Sequence, residues 1–298
     1  SDPMYAIQTH QLTKSYGKHR GIENLNLSVQ QGELFGFIGP NGAGKSTTIR
    51  TLLGLIKPTS GSAQVLGLEV GRQQGQILRR VGYLPSETQF YAGMTARDLL
   101  KLSADLRGLD CQAECRRLSD RLQLDLGMAA DQLSLGNRKK VGIVAALQHQ
   151  PDLLILDEPT SGLDPLIQEE FFALLEERRQ AGGTVFLSSH VLSEVQNHCD
   201  RAAIIRQGQI VATEDVASLM QHQAKRVSLS GQVPGLADLA GVSNWQAKGK
   251  DQASFLYQGD LNALLACLAG GQVRDFSLAE PSLEEIFRHY YQEGGDLS

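Results

Sequence analysis

The chain has 298 residues, of which 41% are hydrophobic and 20% are charged, a composition typical of a globular protein with one large or two modest domains. No apolar run reaches the roughly 18 residues of a membrane-spanning helix, no signal segment is recognisable, and the net charge of −5 argues against a surface that coats nucleic acid. The cysteines are too scattered for a disulfide framework, and although Cys111 and Cys115 have the spacing of half a metal site, we expect reduced thiols in a cytoplasmic protein.

The first elements are predicted to be strands. Residues 6–20 indicate a short strand and a turn, and residues 22–29 alternate apolar and polar side chains as a half-buried antiparallel strand does. Tyr16 lies in the turn and offers a flat aromatic surface on which an adenine ring can stack. Packing within the fold is the alternative role for this side chain, but its place just upstream of a glycine-rich loop favours the nucleotide.

A strand, a glycine-rich loop and a helix follow in direct succession. Residues 34–38 are an apolar run typical of a strand buried on both faces, and apolar side chains recur at helical spacing from Ile49 to Ile56. The spacing G-x-x-x-x-G-K-S between them is that of a phosphate-binding loop, whose backbone N–H groups and helix N-terminus attract phosphate. Its candidate nucleotide-binding residues are Gly39, Pro40, Asn41, Gly42, Ala43, Gly44, Lys45, Ser46 and Thr47. We expect Lys45 to reach the β- and γ-phosphates and Ser46 to ligate Mg²⁺.

Further strands are predicted at residues 63–68 and 81–84, and a helical segment follows at residues 95–126. Leu99, Leu102 and Leu106 share one face of that segment, which indicates a helical insertion in an α/β core. Next, Ser134 is a good N-cap for a helix, and the basic run Arg138-Lys139-Lys140 is expected to face water.

Acidic residues follow the next buried strand. The apolar run at residues 153–156 ends in Asp157 and Glu158, which predicts a parallel strand that delivers carboxylates to the edge where open α/β sheets bind ligands. We expect Asp157 to hold Mg²⁺ through water and Glu158 to polarise the water that attacks the γ-phosphate.

A tight turn at residues 161–165, a helix at residues 166–179 and a buried strand at residues 184–189 complete the core. The strand ends at His190. That histidine either caps a helix or packs in the core, or it contacts a γ-phosphate. The neighbouring acidic strand favours the contact with a γ-phosphate.

Together these residues resemble the ATP-binding subunit of ABC transporters over about residues 5–219. GPNGAGKS is similar to the Walker A loop, LLILDEP to the Walker B strand, SGLDP to the D-loop, and LSLGN to the family's signature LSGGQ without its glutamine. The resemblance implies a P-loop α/β core with antiparallel β and helical subdomains, the latter at about residues 88–148, and ATP and Mg²⁺ as cofactors. It also implies that two subunits, identical or closely related, sandwich two ATP molecules. Ser134 and Gly136 would then contact the partner's ATP, Asp164 would belong to the D-loop, and His190 would be the switch histidine.

One position departs from the family. A glutamine normally follows the Tyr-x-Pro strand end and links Mg²⁺ to the permease contact surface, whereas this chain has Ser86 and then Glu87. Glu87 could ligate the metal if the loop shifts by one residue, because a carboxylate is a strong Mg²⁺ ligand. The alternative is that Glu87 faces solvent and a water joins Ser86 to the metal.

From residue 221 onward the composition changes, which predicts a second domain at residues 221–298 after a first at residues 4–220. Strands are expected near residues 227–233, 253–257 and 273–278, with a helix capped by Asp260 and another beginning at Ser282. This α+β segment resembles the accessory domain of ABC-2-type exporter subunits.

We therefore expect a cytoplasmic ATPase at the inner face of the cell membrane that drives export through a separate integral membrane permease, with no nucleic acid partner. The alternative is a soluble ABC ATPase acting on ribosomes or DNA, although such proteins usually carry two cassettes or a long coiled coil. A P-loop kinase or GTPase would leave LSLGN unexplained. The transported substrate contacts the permease and cannot be inferred from this chain.

Overall fold

The structure is a computed structural model that describes residues 4–221, 224–281 and 285. The chain divides into two compact units, Ser1–Asp215 and Val216–Ser298. The division lies a few residues ahead of the boundary that we propose from the sequence.

The elements of the first unit follow one another in the order β1 (Tyr5–Tyr16), β2 (His19–Leu25), β3 (Ser28–Gln30), β4 (Leu34–Ile38), α1 (Lys45–Leu52), β5 (Ser60–Val65), β6 (Leu68–Glu69), α2 (Gln74–Arg80), β7 (Val81–Leu84), α3 (Ala96–Leu106), α4 (Gln112–Arg121), α5 (Leu135–Leu147), β8 (Leu153–Asp157), α6 (Pro165–Gln180), β9 (Thr184–Ser189), α7 (Leu192–His198), β10 (Arg201–Arg206) and β11 (Gln209–Asp215).

A six-stranded sheet in the order β11-β10-β4-β9-β8-β7 forms the centre of this unit, as seen in residues 4–215. β10, β4, β9, β8 and β7 pair in parallel, and β11 is antiparallel to β10. Every residue of β4, β8 and β9 is buried, as expected for strands covered on both faces. The loops after β4, β7, β8 and β9 therefore meet at one edge of the sheet, where α/β folds bind ligands.

An antiparallel sheet packs beside it, with β1 in contact with β2, β3 and β5. The first strand runs to Tyr16, so the predicted short strand and turn were wrong in extent. The strand predicted at residues 22–29 is divided into β2 and β3, which pair with different parts of β1: Leu25 lies opposite Leu12, and Ser28 lies opposite Gln8.

Helix α1 ends at Leu52, earlier than its apolar spacing indicated, and the left-handed Gly54 (φ 69°) follows. Helix α3 begins with a capping box in which Thr95 and Asp98 exchange side-chain to backbone hydrogen bonds. Its buried face consists of Ala96, Leu100 and Ala104.

The second unit, where it is described, begins with α8 (Val216–Gln221) and contains β12 (Lys225–Gln232), β13 (Val242–Ala247), β14 (Gln252–Tyr257), α9 (Leu261–Ala269) and β15 (Gln272–Ala279). The strands form an antiparallel sheet in the order β13-β14-β12-β15. Asp260 caps α9, as predicted, by accepting a hydrogen bond from the Asn262 N–H at 2.9 Å. The strand β13 was not predicted, and the helix predicted from Ser282 lies outside the described residues.

No helix in residues 4–221 or 224–281 combines the length and the apolar character needed to cross a membrane.

Candidate functional site

The loop between β4 and α1 has the backbone of a phosphate cradle. Gly42 and Gly44 have left-handed φ values of 81° and 108°, which side chains rarely adopt. A Cβ on Gly39 would lie 2.5 Å from the carbonyl oxygen of Ile205, so no other residue fits there. Gly44 is the N-cap of α1 and supplies no side-chain hydrogen bond, so the first-turn N–H groups of that helix remain for a ligand.

Lys45 connects this loop to the acidic strand end. Its side chain is 5% exposed, and its Nζ donates to the Gly39 carbonyl at 2.5 Å and to Glu158 Oε1 at 2.6 Å. The ammonium group is therefore held at the mouth of the cradle by a carboxylate for which a phosphate oxygen can substitute.

Ser46 and Asp157, two of the residues predicted to hold Mg²⁺, lie together. Ser46 Oγ donates to Asp157 Oδ2 at 2.8 Å, and Ser188 Oγ donates to Asp157 Oδ1 at 2.7 Å. Asp157 is 3% exposed, so both of its oxygens are fixed by hydroxyl groups. A hydroxyl and a carboxylate are hard oxygen donors, and Mg²⁺ takes few protein ligands because phosphates and waters complete its octahedron. The pair fits a magnesium ion bound with a nucleotide.

Glu158 lies directly beside this pair and is held in an unusual conformation. Its φ is 50°, in the left-handed region, and its N–H donates to both the carbonyl and the hydroxyl oxygen of Ser188 at 3.2 Å. Its carboxylate bonds Lys45 through Oε1 and His190 Nδ1 through Oε2, the latter at 2.9 Å. A non-glycine residue with positive φ persists where its surroundings over-determine it, often at active sites. The structure thus brings Lys45, Glu158 and His190 into one chain of contacts.

Lys139 contradicts the prediction that its basic run faces water. It is 3% exposed, and its Nζ donates to the carbonyl of Ser86 at 3.1 Å and to that of Glu158 at 3.2 Å. Burial lowers the pKa of Lys139, against the opposing effect of the carboxylates of Asp157, Glu158 and Glu87. The sequence prediction missed the burial of Lys139, because helical spacing alone does not show which of two adjacent lysines points into the protein.

The LSLGN segment lies at the start of α5. Ser134 is the N-cap, as predicted, and its Oγ accepts a hydrogen bond from the Asn137 N–H at 3.1 Å. A Cβ on Gly136 would lie 2.9 Å from the Gly162 carbonyl oxygen, so this glycine is required for packing against the D-loop of its own chain. Asp164 in that loop caps α6 by accepting from the Ile167 N–H at 3.0 Å.

Other predicted site residues stand apart from the cluster. Tyr16 ends β1, is 46% exposed and has the Lys14 ammonium 5.4 Å from its ring centroid. Glu87 is exposed. In the described part of the chain, Tyr16, Ser134, Asp164 and Glu87 make no side-chain hydrogen bond to the Lys45, Asp157 and Glu158 cluster.

A second buried carboxylate was missed by the sequence reasoning. Glu194 is 8% exposed, and its oxygens accept hydrogen bonds from Thr160 and, at 2.9 Å, from Ser189. It thereby ties the segment after Glu158 to the strand that ends at His190.

The comparisons with known proteins agree with this geometry. The family described as "ABC transporter" matches residues 22–161, and the family "ATP-binding protein DrrA1-3-like, C-terminal domain" matches residues 220–291. The bacitracin transport ATP-binding protein BcrA of Bacillus licheniformis is 41% identical over 208 residues, which are 69% of this chain and 68% of that protein. The linearmycin resistance ATP-binding protein LnrL of Bacillus subtilis is 31% identical over 301 residues, 94% of this chain and 96% of that protein.

A solved structure of an ATP-binding subunit of an ABC transporter superimposes with a TM-score of 0.67 at 30% identity, over 72% of this chain and 92% of its own. The P-loop α/β fold and the accessory domain inferred from the sequence are those of this group. The chain therefore belongs to the ATP-binding subunits of ABC transporters and is an ATPase.

Proposed function

We propose that this chain powers export through a separate integral membrane permease, by hydrolysing ATP at the cluster of Lys45, Asp157 and Glu158. The observation that carries the proposal is that Glu158 touches both the loop cation and His190, at 2.6 Å and 2.9 Å. Lys45 and His190, both neighbours of Glu158, then each have a role in hydrolysis. Lys45 passes from the carboxylate to a phosphate oxygen, and the released Glu158 accepts a proton from the attacking water. His190 is placed to contact the γ-phosphate.

The remaining cofactor contacts follow from the same edge of the sheet. Ser46 and Asp157 would hold Mg²⁺, which supplies charge neutralisation at the β- and γ-phosphates when bound. Tyr16 would stack on the adenine through its exposed ring. For Glu87, exposure in the loop after β7 is compatible either with solvation or with a shift of the loop toward the metal.

The active unit is a head-to-tail dimer of this chain or of this chain with a close relative. Ser134 and Gly136 lie at the N-terminus of α5, where the helix dipole and free N–H groups favour an anion. In the dimer that anion is the γ-phosphate on the partner subunit, and Asp164 lies in the loop that crosses between sites. Exposure of Ser134 supports this role.

A groove along α3 fits the permease. It measures about 920 Å³ and is lined by residues from α2, from the loop after β7 and from α3. Tyr91 and Leu106 are 75% and 81% exposed, and Leu102 is 39% exposed, so the apolar face predicted from sequence turns toward this groove and away from the core. Exposed apolar surface of this kind marks an interaction site. The loop of Ser86 joins the groove to the catalytic edge, which would let a docked permease sense the nucleotide.

Export is the direction supported by the relatives, since the name of one describes bacitracin transport and that of another linearmycin resistance, and by the DrrA-like accessory domain. The chain would then work at the inner face of the cell membrane, held there by the permease. The soluble ABC ATPase considered as an alternative has no observation in its favour.

The experiment compares wild-type protein, Leu106→Asp and Leu55→Asp, the last an exposed leucine (56%) outside the groove. A permease recovered from detergent-solubilised membranes is identified and reconstituted in vesicles, and its stimulation of ATP hydrolysis is measured. We expect Leu106→Asp to keep basal hydrolysis and lose the stimulation, and Leu55→Asp to keep both. Equal stimulation of Leu106→Asp and wild type would reject the groove as the docking surface.

A further inference from the structure

A buried lysine outside the nucleotide loop joins two parts of the catalytic edge. Lys139 is carried by α5, and its ammonium group bonds the carbonyl oxygens of Ser86 and Glu158, at 3.1 Å and 3.2 Å. These carbonyls follow β7 and β8, which pair in parallel with Leu84 opposite Leu156. One cation therefore fastens the ends of two neighbouring strands at the edge where ATP would bind.

The chemistry of this contact is unusual for a structural lysine. Lys139 is only 3% exposed, so its ammonium group loses most of its hydration. Within the described residues, no carboxylate lies within salt-bridge distance of it. Buried charges are normally paired, because desolvation costs more than a neutral hydrogen bond returns. An apolar side chain of similar length would fill the same space without that cost. Packing alone does not account for a cation at this position.

The hydrogen bond from Lys139 acts on Glu158, the proposed catalytic residue. Glu158 has a φ of 50°, and its N–H is held by Ser188 on one side. Lys139 holds the carbonyl on the other side. With both peptide groups fixed, the backbone conformation that determines the allowed rotamers of the Glu158 side chain is fixed as well. Catalytic geometry is sensitive to displacements of about 1 Å.

The second bond extends this control to the loop after β7. In this chain Ser86 stands where related proteins have glutamine, and its short side chain reaches less far. Instead, Lys139 donates a hydrogen bond to the backbone carbonyl of Ser86. The same loop continues to Gln89 and Tyr91, which line the groove.

We propose that Lys139 is a positioning residue that fixes the backbone of Glu158 for hydrolysis and links it to the loop after β7. The proposal rests on the catalytic role of Glu158 proposed above. Lys139 acts on hydrolysis through the backbone and does not bind the nucleotide. Its removal should therefore lower kcat and leave nucleotide affinity unchanged.

The test compares Lys139→Met, which keeps the length and removes the donors, with Lys139→Arg, which keeps them. Lys140→Met is the matched control, because it removes the same charge one residue away, where the ammonium donates to the Gln123 carbonyl at 3.4 Å. Basal ATP hydrolysis and the binding of a fluorescent ATP analogue are measured on the full chain. For Lys139→Met we expect kcat to fall by about 10- to 100-fold, with KM and analogue affinity within about twofold of wild type. Lys139→Arg should recover much of the rate, and Lys140→Met should match wild type.

A double variant separates positioning from general damage. In a Glu158→Gln background, single-turnover hydrolysis should be no slower when Lys139→Met is added, because both changes remove the same catalytic function. The inference is overturned if Lys139→Met keeps the wild-type kcat, if it weakens binding as much as turnover, or if its effect persists undiminished in the Glu158→Gln background. A wild-type rate for Glu158→Gln alone would instead refute the catalytic role of Glu158, so the two failures are distinguishable.

Discussion

Replacement of Glu158 by glutamine should change catalysis and binding in opposite directions. The amide keeps the shape of the side chain but cannot accept a proton from water as a carboxylate does. It also removes the anion that holds the Lys45 ammonium at 2.6 Å. A phosphate oxygen of ATP would then bind Lys45 without having to displace a carboxylate from it.

The two effects have separate magnitudes. Loss of a general base typically lowers the rate by about 10²- to 10⁴-fold. A hydrogen bond to a charged group contributes about 1.5–3 kcal/mol, and about 1.4 kcal/mol corresponds to a factor of ten. Lys45 and Glu158 are only 5% and 17% exposed, so solvent screens their attraction little. Because Lys45 keeps its bond to the Gly39 carbonyl, we expect ATP affinity to rise by about tenfold, at the lower end of that range.

Single-turnover hydrolysis of ATP gives the rate, and titration calorimetry with ATP gives the affinity. Glu169→Gln is the control, since it makes the same chemical change at an exposed position of α6. A misfolded variant would lose both activities, whereas the structure predicts a slow enzyme that binds ATP more tightly. Hydrolysis at the wild-type rate would exclude Glu158 as the general base, and affinity weakened together with the rate would contradict its competition with phosphate for Lys45.

Further expectations concern the loop cation, the loop after β7 and a buried histidine. Lys45→Ala should weaken ATP binding itself, because it removes a charge-assisted contact to phosphate, and undiminished affinity in a binding titration would exclude that role. Glu87→Ala should lower Mg²⁺-dependent hydrolysis, or its stimulation by the permease, more than Ser86→Ala does, and equal small effects would reject the shifted loop. Burial lowers the pKa of His149 from 6.5 to about 4, and its ring donates to the Val81 carbonyl. The unfolded chain thus binds a proton below pH 6.5 that the folded chain does not, so stability falls as pH drops toward 4. The thermal midpoint of His149→Gln should fall less than that of the wild type as pH drops over this range. If both midpoints fell equally with pH, His149 would not be the group responsible.

Three buried parallel strands, β4, β8 and β9, were predicted from sequence with bounds correct to within one residue, whereas the parallel strand β10 was not predicted. β4, β8 and β9 are continuous apolar runs that end in a glycine loop, two acids and a histidine, so the hydrophobic run and the ligand edge coincide. The motif spacing also predicted that Lys45, Ser46 and Asp157 lie close together, and Ser46 Oγ indeed donates to Asp157 Oδ2 at 2.8 Å.

Other features depend on tertiary contacts that a linear pattern does not contain. Periodicity marked Leu102 and Leu106 as apolar partners but could not tell the core from an exposed groove. Lys139 looked like part of a solvated basic run, although its direction is set by the packing of α5 against β7. The edge strand β13 is largely exposed and does not alternate apolar and polar residues regularly, so its sequence pattern does not predict a strand.

If ATP is bound between the nucleotide loop of one subunit and Ser134 of another, as we propose, cysteines placed at these two positions should cross-link when ATP is present. Asn41→Cys and Ser134→Cys are made separately in the Glu158→Gln background and mixed, with and without Mg²⁺ and ATP. Asn41 and Ser134 are both exposed, so each new thiol is accessible. We expect an ATP-dependent disulfide-linked dimer in the mixture and little cross-linked dimer in either variant alone. Absence of the cross-link would contradict a dimer of two copies of this chain, and its equal formation without ATP would contradict a site that ATP closes.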